Sequence, residues 1–319
     1  MRNGRREIWS NLAGLAGGLV VAGLCLWLLA GVLGEIDPDQ IWSAATGTSG
    51  LQIAGAIIAT ALCYLALVLY DQIALRALGH GIPLARVFAG SFTAYALSHN
   101  LGLAPITASA ARWKIYSRHG VSLGDIAKIV VLTGISFWMG VLVLAGAVLT
   151  INPQLVTGVL GVAIPDVVYR LGGICILSAN IAYLVAIGKG FKRFGWKSLV
   201  LPVPSFRDAL LQNGLGAVEI ALASLALAIL IPGVGVEAYP IVFLAYLLAF
   251  ASVIITHAPG GVGVLELAVV AMMPNHPSED VIAGLLLFRL VFHILPLLIA
   301  LAVLAVNSKG NPKSESLYA

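Results

Sequence analysis

The sequence predicts an all-α polytopic membrane protein, with about six transmembrane helices and two re-entrant helical hairpins arranged as an inverted repeat. Three observations support this prediction. The 319 residues are 60% hydrophobic and only 10% charged, which is too little charge to cover a soluble domain of this size. Apolar runs recur along the chain at the length of a membrane crossing. A helix-breaking stretch at residues 257–266 interrupts apolar surroundings, where lipid-exposed irregular backbone would leave polar groups unpaired.

Six apolar runs have the length that a transmembrane helix needs, which is about 20 residues. The runs lie near residues 9–33, 50–70, 124–149, 168–188, 208–231 and 282–306. Arg2, Arg5 and Arg6 precede the first run as in a signal peptide. This run is too long for a signal peptide and has no clear cleavage site, so we expect an uncleaved span. The three cysteines fall singly in different spans, which indicates neither a zinc site nor disulfides.

The distribution of Lys and Arg among the loops predicts the orientation, because cytoplasmic loops carry an excess of these residues. The amino terminus is basic, and the first loop is acidic, with Glu35, Asp37 and Asp39. The segment 84–111 lies between two basic regions, so it begins and ends on the cytoplasmic side. We therefore expect a re-entrant hairpin that turns near residues 99–105.

The second half of the chain repeats this pattern from the opposite side. The loop 150–167 has no Lys or Arg and is expected outside, whereas the basic loop 189–207 is expected inside. The segment 239–274 lies between two acidic loops, so it enters and leaves from the outside and turns at its Pro-Gly-Gly stretch. The last span then returns the chain to the cytoplasm, which places both termini there.

These orientations divide the chain into two inverted halves, each with two spans, a hairpin and one further span. Residues 1–149 form the first repeat, 150–167 an outside connecting loop, 168–306 the second repeat and 307–319 a cytoplasmic tail. Inverted repeats whose broken helices meet near the membrane midplane are typical of transporters. In the alternative interpretation, each hairpin is a full crossing plus an interfacial helix, which moves the later loops to the other side.

Charged side chains inside a membrane cost about 2.5–3.5 kcal/mol each on insertion scales and are candidate functional residues. Glu219 lies close to the middle of its span, and Glu266 lies in the first helical turn after the glycine-rich break. Arg289 lies within the last span, with His293 four residues later on the same helical face. Arg112 closes the first hairpin.

Each of these candidates also has a purely structural explanation. Glu266 can cap its helix, and Arg289 can pair with one of the two glutamates to hold helices in register. His293 can be a hydrogen-bonded core histidine rather than a proton carrier. Arg112 can be an interfacial anchor that reaches the headgroups. Asp71, at the inner end of the second span, is expected to be solvated or paired locally.

The glycine-rich break is a candidate anion site. Its glycines let the backbone approach a ligand, and the following helix points free N–H groups at the break, which favours an anion such as a lipid phosphate. The stretch is not a Walker A loop, since the lysine is missing, nor a dinucleotide fingerprint, which needs a preceding strand. It also fits a plain tight turn. No His, Asp or Glu cluster has metal spacing in the sequence, and no cofactor is expected.

Three blocks of sequence match a known family. The first block is Tyr70-Asp71 with Ala74, Arg76 and Gly79. The second runs from Tyr95 through Ser98-His99-Asn100 to Arg112, Tyr116 and Gly120. The third and most specific is 258–266, which is similar to the family's Pro-Gly-Gly-hydrophobic-Gly-hydrophobic-hydrophobic-Glu, and Glu219 fits an acidic position in the sixth span. Over nearly its whole length the chain resembles the standalone membrane proteins related to the flippase (transmembrane) region of lysylphosphatidylglycerol synthase.

The resemblance implies movement of an anionic or aminoacylated phospholipid between the leaflets of the bacterial inner membrane. The chain departs from the family just before Arg112, where Ala110-Ala111 replaces the glycine or acidic residue that many members carry. The aminoacyl-transferase domain of the bifunctional members has no counterpart here. We therefore expect a transporter and not an enzyme that synthesises aminoacyl-phosphatidylglycerol.

Two hypotheses of function remain open. In the first, a phospholipid translocase holds the headgroup in a polar cavity between the hairpins. Its candidate substrate-binding residues are Arg112, Asn100, Glu219, His257, Gly260, Gly261, Gly263, Glu266, Arg289 and His293, and its candidates for proton coupling are His99, His257 and His293. In the second, a membrane-embedded lipid phosphatase or transferase uses His257 and Glu266 as base and acid. Both bind a membrane phospholipid. The dispersed basic residues do not indicate nucleic acid, and Gly14 with Gly18 leaves a homo-oligomer open.

Overall fold

A computed structural model gives the fold of this chain. It describes residues 37–101, 104–160, 164–190, 193–196, 199–256 and 261–309. The predicted first span at 9–33, His257 and Gly260 lie outside the described residues.

Within the described ranges the fold is almost entirely helical. The helices of the first half are α1 (Pro38–Gly47), α2 (Gly50–Ala77), α3 (Leu84–Leu101), α4 (Ala104–Tyr116) and α5 (Leu123–Ile151). Those that follow are α6 (Pro153–Leu160), α7 (Asp166–Gly188), α8 (Phe206–Leu230), α9 (Tyr239–Thr256), α10 (Val264–Met272), α11 (Ser278–Phe288) and α12 (Leu295–Lys309). A π-helical turn, Arg289–Ile294, joins α11 to α12, and short 3-10 turns occupy Ser117–His119 and Val236–Ala238.

Two predicted loops contain regular structure. The outside loop 150–167 contains α6, and the basic loop 189–207 contains an antiparallel pair of short strands, β1 (Arg193–Trp196) and β2 (Leu199–Pro202). The strand pair comprises two strands of four residues each and does not change the class of the fold.

Six helices in the described part of the chain are long and apolar enough to cross a membrane, and this confirms the prediction of an all-α polytopic membrane protein. They are Gly50–Ala77, Leu123–Ile151, Asp166–Gly188, Phe206–Leu230, Val236–Val253 and Ser278–Asn307. Five of them coincide with predicted spans. The other, Val236–Val253, is the first arm of the predicted second hairpin, so its length also suits the alternative of a full crossing.

Serine residues begin three of the long helices. The hydroxyls of Ser49, Ser122 and Ser205 each accept the backbone N–H of the residue three positions later, at 3.3, 3.1 and 3.1 Å. Such N-caps satisfy one of the N–H groups that a helix start leaves without a partner. They fix the first turns of α2, α5 and α8.

The chain turns back on itself at both predicted hairpins. Helices α3 and α4 pack against each other on either side of residues 102–103, and α9 and α10 do so on either side of residues 257–263. The ends of α3 and α4 that lie away from this turn contact the end of α12. Arg86 Nη1 donates to Asn307 Oδ1 at 3.0 Å, and Arg118 Nη1 donates to the Asn307 carbonyl at 3.1 Å. Re-entry into the bilayer and the inverted repeat stay predictions.

Helices α2 and α8 form the centre of the bundle and run antiparallel. Gln52 Nε2 donates to the Ile229 carbonyl at 3.1 Å near one end, and Cys63 Sγ lies 3.6 Å from the Glu219 carbonyl further along. Helix α5 crosses α8 at Gly140, where an added Cβ would lie 2.2 Å from the carbonyl carbon of Gly216. Small residues at such crossings let helix backbones approach closely in membranes. The largest buried apolar cluster extends from this centre into α9, α10 and α11.

Candidate functional site

An ion pair links the helix after the glycine-rich break to the last span. Glu266 Oε1 accepts from Arg289 Nε at 2.7 Å, and Glu266 Oε2 accepts from the backbone N–H of Gly263 at 2.8 Å. Glu266 therefore caps α10 and pairs with Arg289 at the same time. Both structural explanations of these residues are present together.

Arg289 also fixes the turn that precedes α10. Its Nη2 donates to the Gly261 carbonyl at 3.0 Å. Gly261 and Gly263 have φ angles of 62° and 82°, in the left-handed region that favours glycine. A Cβ on Gly261 would lie 2.8 Å from Val253 Cγ2. The arginine thus holds a tight glycine turn, and its side chain and that of Glu266 remain 16% and 13% exposed.

The π-helical turn that begins at Arg289 follows from a proline in the next helix. Pro296 lies four residues after Phe292, so it cannot donate the N–H that the Phe292 carbonyl would accept in an α-helix. The hydroxyl of Tyr64 donates to that carbonyl instead, at 3.4 Å. The neighbouring carbonyl of His293 accepts from Asn100 Nδ2 at 3.0 Å. Side chains of α2 and α3 therefore satisfy backbone groups of the last span, and Asn100 attaches the end of α3 to it.

Two histidines lie on either side of Phe292 at this point. The ring centroids of His99 and Phe292 are 6.1 Å apart, and those of His293 and Phe292 are 5.4 Å apart. Tyr64 contacts both His99 and Phe292, at centroid distances of 6.0 and 5.9 Å. The Nδ1 atoms of His99 and His293 are buried and form no hydrogen bond within the described residues. Because buried polar atoms normally have a partner, these two atoms are candidates for binding a ligand.

Arg112 lies in a separate, sealed ion pair. Its Nε and Nη2 donate to the two oxygens of Asp71, both at 2.8 Å, and the two side chains are 2% and 0% exposed. Tyr116 donates its hydroxyl to Asp71 Oδ2 at 2.8 Å, and the guanidinium carbon lies 4.9 Å from the ring centroid of Tyr95. A Cβ on Gly90 would lie 2.2 Å from Tyr116 Cε1, so this glycine makes room for the ring that contacts the pair.

This pair corrects two expectations from the sequence. Asp71 is neither solvated nor paired locally, and Arg112 is not an anchor that reaches the headgroups. The physical reason is that α2 continues to Ala77, which places Asp71 inside the packed helices, where a carboxylate needs a compensating cation. Binding of a phosphate by Arg112 stays a prediction, and it requires the pair to open.

Glu219 is buried in the middle of α8. Tyr70 donates its hydroxyl to Glu219 Oε2 at 2.8 Å. Within the described residues Glu219 forms no ion pair. Arg289, which the sequence could pair with either glutamate, is paired with Glu266. Glu219 is therefore a buried carboxyl group whose hydrogen-bond donor among the described residues is the Tyr70 hydroxyl.

Comparison with known proteins places the chain in a family. Residues 15–300 match the family described as the lysylphosphatidylglycerol synthase TM region. The chain belongs to this family. It is 31% identical over 300 residues to uncharacterized protein slr0712 of Synechocystis sp., covering 91% of this chain and 90% of that relative. It is also 29% identical over 278 residues to inner membrane protein YbhN of Escherichia coli strain K12, covering 84% and 83%. The resemblance inferred from the sequence is confirmed.

In this member of the lysylphosphatidylglycerol synthase TM region family, the predicted site residues fall into three groups. The first group surrounds the π-helical turn and the glycine turn and contains His99, Asn100, Gly261, Gly263, Glu266, Arg289 and His293. Arg112 and Glu219 form the other two groups with their own partners. Their functional roles stay predictions.

Sequence reasoning missed three aromatic contributors, Tyr64, Tyr70 and Phe292. Tyr64 and Phe292 form part of the contact between α2, α3 and the last span, and Tyr70 is the donor to the buried glutamate. Pro296 was a usable signal for the first two, because a proline inside an apolar span leaves the carbonyl four residues earlier without its donor. Tyr70 stands in the first block of sequence that matches the family, but no local pattern identifies Glu219 as its partner.

Proposed function

We propose that this protein is a phospholipid translocase that moves an anionic or aminoacylated phospholipid between the leaflets of the bacterial inner membrane. Membership of the lysylphosphatidylglycerol synthase TM region family supports the proposal, as does the inner-membrane relative. The observation on which it depends is the partly exposed Glu266–Arg289 pair, at a glycine turn inside otherwise apolar helices.

The two buried ion pairs differ in a way that suits this function. The Asp71–Arg112 pair is closed to any ligand, with at most 2% of either side chain exposed, whereas Glu266 and Arg289 keep 13% and 16%. Breaking a buried pair without replacement is costly because one charge is left uncompensated. A headgroup with a phosphate and an amine avoids this cost, since the phosphate binds Arg289 while the amine binds Glu266.

The surrounding residues have supporting roles in the proposal. Backbone N–H groups of the turn before α10 bind the phosphate, while the N–H of Gly263 stays with Glu266. Asn100 keeps the end of the first hairpin against the last span, close to the bound headgroup. Protonation of His99, His257 and His293 couples the bound state to the inward and outward forms. Arg112 and Glu219 bind the lipid in a second conformation of the protein, in which Arg112 separates from Asp71 and Glu219 separates from Tyr70.

A leaflet-exchange assay tests the proposal. Proteoliposomes carry phosphatidylglycerol or its aminoacylated form, with the fluorescent label on an acyl chain so that the headgroup is unchanged, and dithionite bleaches the label in the outer leaflet. The wild-type protein is expected to make nearly all of the label accessible. In Arg289→Gln and Glu266→Gln the exchange rate is expected to fall at least about tenfold, because a hydrogen bond to a charged group contributes about 1.5–3 kcal/mol and about 1.4 kcal/mol is a factor of ten in rate.

Matched controls separate loss of binding from loss of fold. Glu266→Gln keeps an acceptor for the Gly263 N–H, so the cap of α10 is retained. Leu290→Ala changes the exposed neighbour of Arg289 and is expected to leave the rate unchanged. Exchange no faster than in protein-free liposomes, or equal rates in all variants, would contradict the proposal. A new lipid product in the same vesicles by mass spectrometry would favour the lipid-modifying enzyme instead.

A further inference from the structure

A basic cavity lies where the start of α3 and the end of α4 meet the end of the last span. It has a volume of about 180 Å³ and is lined by Arg86 of α3, Lys114 and Ile115 of α4, Arg118 and His119 of the following 3-10 turn, and Asn307 of α12. None of these residues belongs to the Glu266–Arg289 site. Two separate segments of the chain thus bring their basic residues to one concave surface, and α12 adds Asn307.

The charges in this cavity are not compensated by the protein. No acidic side chain lines it, and its basic residues form no ion pair within the described ranges. Lys128, the next basic residue along the chain, is by contrast paired with Asp125 at 2.9 Å. Three permanent cations and a histidine around one cavity repel one another, and a bound anion removes this repulsion.

Asn307 orients two of the cations. Its side-chain oxygen accepts from Arg86 Nη1, and its carbonyl accepts from Arg118 Nη1. Each guanidinium has five N–H donors and uses one for these contacts, so several donors remain for a ligand. Arginines held in this way suit the bidentate binding of phosphate oxygens.

The surroundings of the cavity indicate an anion that is anchored in the membrane. Leu84 and Phe88 on α3 and Trp113 on α4, which are close to the basic residues in sequence, are exposed apolar side chains at the same helix ends. Tryptophan beside lysine and arginine is typical of the level of the lipid headgroups. The cavity volume of about 180 Å³ suits a phosphate group and is too small for acyl chains. The acyl chains would therefore stay outside the cavity, in the bilayer.

We propose that this cavity binds the phosphate of an anionic phospholipid at the predicted cytoplasmic face of the membrane. The site is a surface dock for a headgroup and is independent of whether the lipid is then moved across the bilayer. Basic pockets between helices on the cytoplasmic side are a recurring form of lipid headgroup recognition.

Native mass spectrometry of the full-length protein in detergent tests this proposal. Phosphatidylglycerol is titrated against the wild-type protein, with phosphatidylcholine as the zwitterionic comparison. The variants are Lys114→Gln, which breaks no side-chain hydrogen bond among the residues that the structure describes, and Lys114→Gln/Arg118→Gln. Near a membrane surface each cation contributes about 1 kcal/mol, so the affinity for phosphatidylglycerol is expected to fall about fivefold in the first variant and about thirtyfold in the second.

The control variant Lys189→Gln/Arg207→Gln removes the same charge from exposed positions on the same predicted face, away from the cavity. It is expected to bind phosphatidylglycerol as the wild type does. Equal losses in the control and the cavity variants, or equal affinity for the two lipids, would overturn the proposal. In a final competition experiment, inorganic phosphate at millimolar concentration is added to the complex with phosphatidylglycerol. Failure to displace the lipid supports a membrane-anchored ligand, whereas full displacement with the same sensitivity to the variants assigns the cavity to free phosphate.

Discussion

Replacing Arg112 by methionine removes the cation that compensates Asp71 inside the packed helices. The pair is bidentate, with two hydrogen bonds of 2.8 Å, and neither side chain is more than 2% exposed. The loss of one member leaves an uncompensated buried charge, which costs about 3–5 kcal/mol. We therefore expect Arg112→Met to lower the free energy of unfolding by that amount, even though methionine fills much of the same volume.

The double variant Asp71→Leu/Arg112→Met distinguishes an ion pair from a simple packing contact. Apolar replacement of both members of a buried pair is often neutral or stabilising by about 1–4 kcal/mol, so the double variant is expected to recover most of the loss. Unfolding is measured by titration with dodecyl sulfate in mixed micelles, followed by circular dichroism. Lys128→Met is the matched control, because its pair with Asp125 is partly solvated and should contribute less than about 1 kcal/mol. Equal losses in the single and double variants would refute the reasoning.

Three further predictions concern the packing around the site. Gly140→Ala is expected to lower the free energy of unfolding by about 1–3 kcal/mol through overpacking, since its Cβ would meet the backbone of α8. Gly134→Ala is the control, because nothing lies within 4 Å of an added Cβ there, and it should be neutral or stabilising in the same dodecyl sulfate titration. Asn100→Ala is expected to speed amide hydrogen exchange at residues 289–294, and unchanged exchange there would argue against the contact seen between the two elements. Tyr70→Phe should cost about 1.5–3 kcal/mol if the carboxylate it contacts is ionised, and a loss below about 0.5 kcal/mol would indicate a protonated group.

The spans and the turns could be predicted from the sequence because they depend on local pattern. Helix α3 ends at Leu101 and α4 begins at Ala104, within the turn expected near residues 99–105. The loop charges gave no means of telling how deep such a turn lies, because they record only the side on which a segment begins and ends. Serines before apolar runs likewise mark helix starts wherever the first turn needs an acceptor.

The end of α2 could not be predicted in this way. Hydropathy falls at Asp71, so the apolar run ends one residue earlier, yet the helix continues to Ala77. The cation that makes this possible is Arg112, which lies 41 residues further along the chain. No periodicity in the sequence relates positions so far apart. For the same reason, the sequence could not decide which of the two glutamates pairs with Arg289. Ionic partners across a fold follow from packing, which the sequence pattern does not encode.

The two ion pairs attach the second arm of each helical hairpin to a neighbouring long helix, with opposite signs. In the first hairpin the arm carries the cation, Arg112, and α2 carries the carboxylate. In the second the arm carries the carboxylate, Glu266, and the last span carries the cation. The first pair is sealed and the second is partly exposed, so the second pair is the more accessible of the two. Asn100 holds the first hairpin to the same π-helical turn that begins at Arg289, so any rearrangement of that turn acts on both hairpins. This linkage would give the proposed headgroup site a physical route to both hairpins.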